Sequence, residues 1–400
     1  MHLDIEPQLS EQEREIRDLA HRFAAEVLRP AGRELDALDD PQDVIAPNSI
    51  LWDTFRKYRE TGLAGIDAAT AELSPLERIR IRTMVSEELG WGDSGLAISL
   101  GVSGFHRTFA LMSGRERLID RYIKSGHDEI GCWAVTEPDH GSDTLTFTEP
   151  HFNDGNLRAN CIATPDGDSY IIRGQKSAWV SNGTIATVAA LFCTIDPSAG
   201  FHDGGVAVVP LDLPGVSRGK PTNKLGQRPL NQGEIFFDDV RIPADYMVVG
   251  CENYAPTVEQ ILTFANASMG TTFVGVARAA YEHALDYART RVQGGIPIIN
   301  HQSVRSRLFK MFMQVEAARA LARRVSAYNA TNHPKIQYSV ASKVFATNTA
   351  FEVASQALQI FGGNGLTKEF PIEKLMRDAR ASMIEDGCNE VLGLVAAAKL

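Results

Sequence analysis

The sequence predicts an α+β fold that is mostly helical. Apolar residues recur at helical spacing from about residue 10 to 128, and short β-branched and aromatic runs fill the region from Gly131 to Pro243. Long helical patterns return after about residue 254. This order is not the alternation of strands and helices that a doubly wound sheet requires. We therefore predict an N-terminal helical domain at 1–128, a middle β domain at 129–245 and a C-terminal helical domain at 246–400.

The N-terminal region is predicted to open with an amphipathic helix. Ser10 and Glu13 have the spacing of a capping box. Apolar residues then follow at helical spacing until Pro30, where we expect the helix to end: Ile16, Leu19, Ala20, Phe23 and Val27. Similar periodicity around 50–60, 75–90 and 114–124 predicts further helices.

The middle and C-terminal regions differ in texture. Predicted strands lie in the runs CWAVTE, SYIIRG, AWVSNG, TVAALFCTI, GVAVVPL and EIFFDDVRI. Predicted helices lie at 256–292, 301–330, 335–361, 371–382 and 388–400. Because several of these helical patterns exceed 25 residues, the last region is predicted to be a packed bundle.

Composition excludes several classes of protein. The chain has 400 residues, 44% of them hydrophobic, so it can bury a large core, and its net charge of -10 is not gathered in a tail. This balance argues against nucleic acid or an anionic membrane surface as a partner. Since no run reaches the roughly 20 apolar residues of a membrane span and the start is too acidic for a signal peptide, we predict a cytoplasmic protein.

The sequence lacks the common motifs for metals and nucleotides. Its five cysteines are scattered without a CxxC pair, so we predict buried free thiols and no metal site. There is no GxGxxG turn after a strand and no GxxxxGK[ST] loop. Any nucleotide must therefore be held by other means.

One turn after a predicted strand is rich in small and hydroxyl residues. The residues from Thr136 to Asp143 read TEPDHGSD, and such a turn can offer N–H groups and hydroxyls to a ligand. Composition alone fits an ordinary polar β-turn equally well. The order of the motifs around it decides the interpretation: GQK at 174–176, WVSNG at 179–183, KLGQR at 224–228, FFDDVRIP at 236–243, QIFGGNG at 359–365, PIEKLMRDAR at 371–380 and IEDGCNE at 384–390.

In the order and spacing of these motifs the chain resembles the acyl-CoA dehydrogenase family from about residue 10 to its C-terminus. The resemblance implies an N-terminal helical domain, a middle β-barrel-like domain and a C-terminal four-helix bundle. It also implies an FAD cofactor between the β domain and the bundle, and a homotetramer. The implied reaction is the α,β-dehydrogenation of an acyl-CoA or other acyl thioester, with electron-transfer flavoprotein or oxygen as acceptor.

The resemblance also assigns FAD-binding residues. It places seven residues of the β domain at the isoalloxazine ring: Val135, Thr136, Gly141, Ser142, Trp179, Val180 and Ser181. Arg291 and Gln302 have the spacing of two family residues at the adenosine diphosphate part of FAD. A neighbouring subunit would supply Gln359, Ile360, Gly362 and Gly363. Taken singly, Arg291 fits a solvated helix residue better, and the glycine pair fits a helix end better.

A carboxylate must remove the proton next to the thioester carbonyl. In the family this base is a Glu before a Gly, and the matching position here is Asp386, preceded by Glu385. The alternative interpretation of Asp386 is a carboxylate that caps the last helix. Cys388 and Glu390 replace the Thr and Gln that commonly follow the base in the family.

Two further departures concern the substrate, which the resemblance places near Ser142, Thr263 and Asn266. Asn266 occupies the position where most relatives carry an Arg beneath the catalytic loop, and Thr263 that of a carboxylate near the substrate adenosine. Roughly a dozen extra residues between Asp143 and Gly174 are expected either to shape the acyl pocket or to lengthen a surface hairpin, and we favour the hairpin.

Other functions remain compatible with the same fold. An Asp base and the absent Arg also suit a flavin oxidase or monooxygenase like nitroalkane oxidase, which belongs to this superfamily and uses an Asp base. A third possibility is a non-catalytic FAD-holding subunit, or a hetero-oligomer in which each chain supplies part of the site.

Overall fold

The computed structural model describes residues 9–124, 129–195, 198 and 200–400. The acidic start MHLDIEPQ lies outside the described residues, and so do residues 125–128, where we predicted the first domain to end. The described chain is a helical N-terminal region, a middle sheet and a helical C-terminal region, which confirms the predicted fold class.

The N-terminal region is helical throughout its described part. Its α-helices are α1 (Glu11–Phe23), α2 (Arg29–Asp36), α3 (Pro41–Val44), α4 (Ile50–Glu60), α5 (Ile66–Ala69), α6 (Pro75–Gly92), α7 (Ser94–Val102), α8 (Phe105–Ser113) and α9 (Glu116–Ile119). The predicted capping box is confirmed, since the Glu13 N–H donates to Ser10 Oγ at 3.2 Å and the Ser10 N–H to Glu13 Oε2 at 2.7 Å.

The prediction that the first helix ends at Pro30 is wrong. A π-helical turn, Ala24–Leu28, joins α1 to α2, and Pro30 sits at the start of α2. A proline lacks the N–H that would bond to the preceding turn and its ring crowds the carbonyl four residues before it, and here the preceding turn is the wider π-helical one. The wider turn thus carries the chain past the proline.

The middle region forms one main sheet. Its strands are β1 (Gly131–Ala134), β2 (Ile162–Asp166), β3 (Ser169–Lys176), β4 (Val188–Thr194), β5 (Gly204–Pro210), β6 (Val216–Arg218), β7 (Ile235–Pro243) and β8 (Met247–Val249). The order is β6-β7-β3-β2-β4-β5-β8, and β1 pairs in parallel with β4. The last strand lies beyond residue 245, the expected end of the middle domain.

Five of the six predicted runs contain strands, and the run AWVSNG does not. Trp179 and its neighbours form turns, with one isolated bridge between Ser181 and Gln232. The short strands β2, β6 and β8 were not predicted. Each has only three to five residues, too few for a clear alternating pattern.

The C-terminal helices agree with their predicted ranges within a few residues. They are α10 (Cys251–Thr290), α11 (Gln302–Thr331), α12 (Ile336–Phe361), α13 (Ile372–Ser382) and α14 (Asn389–Ala397), with a small hairpin of β9 (Val292–Gln293) and β10 (Ile296–Pro297) after α10. Among the described residues, no helix is long and apolar enough to cross a membrane. All five cysteines are free thiols, with Cys251 and Cys388 half-buried and the others buried.

A buried ionic cluster joins the N-terminal region to the bundle. Arg278 of α10 donates to Glu87 at 2.8 Å and to Glu88 at 2.5 Å, and Arg319 of α11 donates to Glu87 at 2.9 Å. Burial alone would raise the pKa of Glu87, but Arg319, Arg278 and Arg323 together lower the pKa to about 2. Glu87 is therefore ionised wherever the protein is folded at ordinary pH.

The core of the sheet continues into one end of the bundle. Val258 and Leu262 of α10, Val340 of α12 and Leu392 of α14 belong to the same buried cluster as the sheet residues. The start of α10, the first half of α12 and the loop before α14 are thereby held against the sheet. The predicted catalytic residues lie at this junction.

Candidate active site

The loop between α13 and α14 carries both predicted catalytic carboxylates. Asp386 and Gly387 both have left-handed backbone, with φ of 52° and 89°. The N–H of Cys388 donates to Ser142 Oγ at 3.0 Å, which fastens the loop to the turn after β1. The alternative that Asp386 caps the last helix is wrong, because α14 has no side-chain cap. The structure thus brings Ser142 and the Glu385–Asp386 pair together.

The two carboxylates have different surroundings. Glu385 Oε1 accepts a hydrogen bond from Gln227 Nε2 at 2.6 Å, whereas Asp386 makes no side-chain hydrogen bond or ion pair within the described residues. Burial, followed by the charge of Asp386, raises the pKa of Glu385 to about 7. Burial also raises the pKa of Asp386 to about 6, against the lowering effect of Lys343. Of the two, Asp386 is the one free to accept a proton from a ligand.

A buried ion pair fixes the turn after β1. Lys176 Nζ donates to Glu137 Oε1 at 2.6 Å and to the Val135 carbonyl at 2.9 Å, and both charged side chains are almost fully buried. The Ser177 N–H donates to the Thr136 carbonyl at 2.8 Å. Gly141, further along this turn, is exposed, and a Cβ atom added to it would meet open space. The predicted residues Val135, Thr136, Gly141 and Ser142 therefore form one preformed edge.

The second predicted flavin segment is also preformed. Val180 is buried, while the Trp179 side chain is 55% exposed. Gln232 Nε2 donates to the Trp179 carbonyl at 3.1 Å and to Ser181 Oγ at 3.2 Å. Gln232 in turn accepts from Lys224 Nζ at 2.8 Å. An indole left half in solvent beside hydroxyl groups offers a flat apolar face with a polar border, which fits a planar aromatic ring such as isoalloxazine.

Thr263 and Asn266 are buried in α10. Thr263 Oγ1 donates to the Glu259 carbonyl at 2.7 Å, and Asn266 Nδ2 donates to the Leu262 carbonyl at 2.8 Å. The Asn266 side-chain oxygen is buried with no hydrogen-bond partner in the described part of the chain. Both hydrogen bonds stay within the helix. Neither side chain is charged.

The remaining predicted FAD residues lie elsewhere. Arg291 ends α10, about 38 Å along the helix from Asn266 at 1.5 Å per residue, and Gln302 begins α11. Tyr287, one turn before Arg291, stacks on Phe361 with ring centroids 4.0 Å apart. Exposed Gln359, Gly362 and Gly363 and buried Ile360 therefore share the Arg291 end of the bundle, far from Ser142.

The expectation that the extra residues after Asp143 lengthen a hairpin is wrong, because residues 144–161 contain no strand and precede the β2–β3 hairpin. They form two 3-10 turns, Ser142–Leu145 and Pro150–Asn153. Phe152 is 1% exposed, and its ring centroid lies 6.1 Å from that of Phe201 and 6.5 Å from that of Tyr254. Phe201 and Tyr254 also line a small cavity next to Val135. The insertion is part of the wall behind the site.

Sequence reasoning missed three polar residues near the loop. Gln227 and Lys224 lie in the KLGQR motif, which had been noted without a role. Burial lowers the pKa of Lys224 to about 7, while Glu385 and Asp378 act in the opposite direction. Lys343 of α12 is fully buried and donates to the Gly387 carbonyl at 2.9 Å. Its only sequence signal is a lysine on an otherwise apolar and small-residue helix face.

Three domain descriptions of one family match the chain. "Acyl-CoA dehydrogenase, N-terminal domain" matches residues 10–125, "Acyl-CoA dehydrogenase, middle domain" residues 132–240, and "Acyl-CoA dehydrogenase, C-terminal domain" residues 256–400. Together they cover nearly the whole chain and coincide with the helical, sheet and helical regions.

Individual proteins give the same picture. The probable acyl-CoA dehydrogenase YngJ of Bacillus subtilis is 28% identical over 400 residues, covering 98% of this chain and 99% of that one. The mitochondrial short-chain specific acyl-CoA dehydrogenase of Bos taurus is 32% identical over 275 residues, covering 68% of this chain and 63% of that one. The structure of butyryl-CoA dehydrogenase from Megasphaera elsdenii superposes with a TM-score of 0.85 at 25% identity, over 98% of this chain and 99% of that one.

Proposed function

Because this chain belongs to the acyl-CoA dehydrogenase family, whose members are FAD oxidoreductases, we propose that it oxidises an acyl thioester at two adjacent carbons. The observation that carries the proposal is the Asp386 carboxylate. Within the described part of the chain it makes no hydrogen bond, and Ser142 holds its loop against the turn that would face the flavin. Bound FAD would supply the acceptor for the hydride from the β carbon.

Asp386 is the proposed base for the proton on the α carbon. Burial raises the pKa of Asp386 to about 6, so the carboxylate is ionised at neutral pH but accepts a proton more readily than an exposed aspartate. The Asp386 backbone N–H has no acceptor among the described residues. We assign it to the thioester oxygen, where negative charge develops as the proton leaves. Glu385 is held by Gln227 and is not the base.

FAD would be shared between two copies of the chain. The turn from Thr136 to Ser142 and the segment from Trp179 to Ser181 would hold the ring of one FAD. Arg291 and Gln359 lie at the distant end of the same bundle, so they would contact the nucleotide end of an FAD held by a neighbouring copy. Arg291 would supply positive charge to the phosphates. Gly362 and Gly363 would let the backbone approach the nucleotide closely. A homotetramer satisfies this arrangement.

The remaining predictions concern substrate and setting. Thr263 and Asn266 present no charge to a substrate nucleotide, so the proposed substrate is an acyl thioester of CoA or of another carrier. Electron-transfer flavoprotein or oxygen would take the electrons onward. The cytoplasmic location stays a prediction from sequence.

Anaerobic spectroscopy tests this function. Purified protein with bound FAD is mixed with a panel of acyl thioesters that differ in chain length and branching, and the flavin absorbance is followed. Loss of the oxidised flavin band with at least one thioester is expected, and its absence with every thioester would contradict the proposal. Rapid return of the band in air would indicate an oxidase.

Variants assign the base in the same assay. Asp386→Asn should keep the flavin spectrum and lose reduction by the thioester, because the amide cannot accept the proton. Glu385→Gln is the matched control and should retain reduction. The reverse pattern would move the base to Glu385, and activity in both variants would exclude the pair.

A further inference from the structure

Lys343 is a buried ammonium directly beneath the loop that carries Asp386. It lies in the first half of α12 with no exposed surface. Its Nζ donates to the Gly387 carbonyl at 2.9 Å and to Asn389 Oδ1 at 2.8 Å. Burying an ammonium group is costly unless it is paired and hydrogen-bonded. A buried lysine at this place therefore indicates a specific interaction with the groups around it.

The backbone beside the carbonyl that Lys343 binds has an uncommon conformation. Asp386 is a non-glycine residue with positive φ, which is infrequent and persists where the surroundings enforce it. Two contacts hold this turn. Lys343 fixes the Gly387 carbonyl from the bundle side, and Ser142 accepts from the Cys388 N–H on the sheet side. Both contacts are made to the one peptide group that joins Gly387 to Cys388, one residue after Asp386. Among the described residues the Asp386 carboxylate makes no hydrogen bond of its own.

The start of α14 has anchors of its own. Asn389 Nδ2 donates to Thr347 Oγ1 at 3.1 Å and to Asn348 Oδ1 at 3.2 Å, and the Asn389 N–H donates to the Met383 carbonyl at 3.0 Å. These bonds hold α14 against α12 without the lysine. The bond that only Lys343 supplies goes to the carbonyl next to Asp386.

The charges around Lys343 also connect it to Asp386. Four titratable groups face Lys343: Asp386, Glu385, Cys388 and Glu390. Burial lowers the pKa of Lys343 to about 8, and Asp386 is the first of the groups that oppose this. For Asp386 the two effects have the opposite directions, since burial raises its pKa and Lys343 lowers it. The nearby α10 residue Asn266 contributes an unpaired amide oxygen and no charge.

We propose that Lys343 is a positioning residue for the proton-abstracting carboxylate. It pins the Asp386–Gly387 turn through the Gly387 carbonyl and supplies the buried positive charge that keeps Asp386 ionised. The inference rests on the proposed function, in which Asp386 is the base. Lys343 itself touches neither the substrate nor the reacting atoms.

Two variants separate the two parts of this role. Lys343→Met keeps nearly the same length and removes both the donor and the charge, whereas Lys343→Gln removes the charge and keeps a donor on a shorter side chain. Exposed Lys335, just before the same helix, provides the matched control Lys335→Met. Anaerobic flavin reduction is measured from pH 5.5 to 9, together with the oxidised flavin spectrum and hydrogen–deuterium exchange of the 383–392 segment.

In Lys343→Met we expect a fall in the reduction rate of about 10- to 100-fold, the range for losing one hydrogen bond to a charged group, with little change in KM. The midpoint of the pH profile should move to higher pH, and exchange of the Cys388 and Asn389 amides should increase. Lys343→Gln should share the pH shift with less added exchange. Lys335→Met should match the wild-type protein in all three measurements.

An unchanged rate and pH midpoint in Lys343→Met or Lys343→Gln, with FAD bound, would overturn the inference. Should the Met variant fail to fold, the Gln variant decides by its pH midpoint. Should neither fold, the lysine is purely structural and the inference fails. If Asp386→Asn reduces as fast as wild type, the proposed base is wrong instead, and the two failures are thereby distinguished.

Discussion

At the scale of single residues, the adjacent carboxylates Glu385 and Asp386 differ in what surrounds each. Gln227, 158 residues away in sequence, donates to Glu385, while the Asp386 carboxylate stays without a hydrogen bond in the described structure. A carboxylate already occupied by a donor is a poorer base than an open one. With Asp386 as the proposed base, a side chain one methylene shorter than glutamate would bring the substrate closer to the loop.

The pH dependence of flavin reduction follows from the raised pKa values. A base must be ionised to accept a proton, so the rate should be high above about pH 7 and fall roughly tenfold per pH unit well below about pH 6. Stopped-flow reduction across this range measures it. In Glu385→Gln the midpoint should move to lower pH, because a neighbouring negative charge is removed. A rate independent of pH between 5 and 8 would contradict a titrating base at this position.

At the scale of elements, the insertion after β1 is a packed part of the wall behind the site. Its two 3-10 turns place Phe152 between Phe201, from the segment before β5, and Tyr254 of α10. The insertion therefore ties the sheet to the first turns of the longest bundle helix. Removing the buried Phe152 ring should therefore lower the stability of the protein.

Phe152→Ala should lower the free energy of unfolding by about 3–5 kcal/mol, the usual cost of truncating a buried phenylalanine. Urea or thermal unfolding of the FAD-loaded protein measures the change. Phe147→Ala, at a half-buried position of the same insertion, is the control and should cost clearly less. Equal, small effects in both variants would mean that the insertion is only a surface loop.

At the scale of the whole molecule, a chain of polar contacts runs from the N-terminal region to the catalytic loop. Lys374 of α13 donates to Asp93 and to Asp378, each at 2.6 Å. Asp378 accepts from the Gln227 N–H, and Gln227 donates to Glu385. All three regions of the chain thus contribute to the position of the loop. The nucleotide-binding candidates around Arg291 lie outside this assembly.

Mixed oligomers test whether neighbouring copies complete each other's site. Asp386→Asn and Arg291→Ala should each be inactive or weak alone. Coexpressed, they should give activity well above the average of the parents, because an Arg291→Ala chain still has its base and receives Arg291 from its neighbour. The control pairs Asp386→Asn with the Asp386→Asn and Arg291→Ala double variant, which lacks a base throughout. Activity no higher than the parental average would place Arg291 in its own chain's site.

The sequence by itself determined the fold class, the long helices, five of the eight strands described in the main sheet and the turn at Thr136–Ser142. Helical periodicity, alternating strands and turn residues are local signals, read over ten to twenty neighbouring positions. The same locality explains the misses. AWVSNG has the composition of a strand but forms turns around the Ser181–Gln232 bridge. Pro30 is typical of a helix end, but here a π-helical turn precedes it and the helical backbone continues.

Only the tertiary structure decided how the site is held together. Ser142 meets Cys388 across 246 residues of sequence, and Lys343 meets the Gly387 carbonyl across 44. Such contacts depend on how α12 packs against the loop and on how the sheet docks on the bundle, and no local pattern records those angles. A lysine on a small-residue helix face reads as an anomaly in the sequence. It becomes interpretable once the left-handed turn above it is seen.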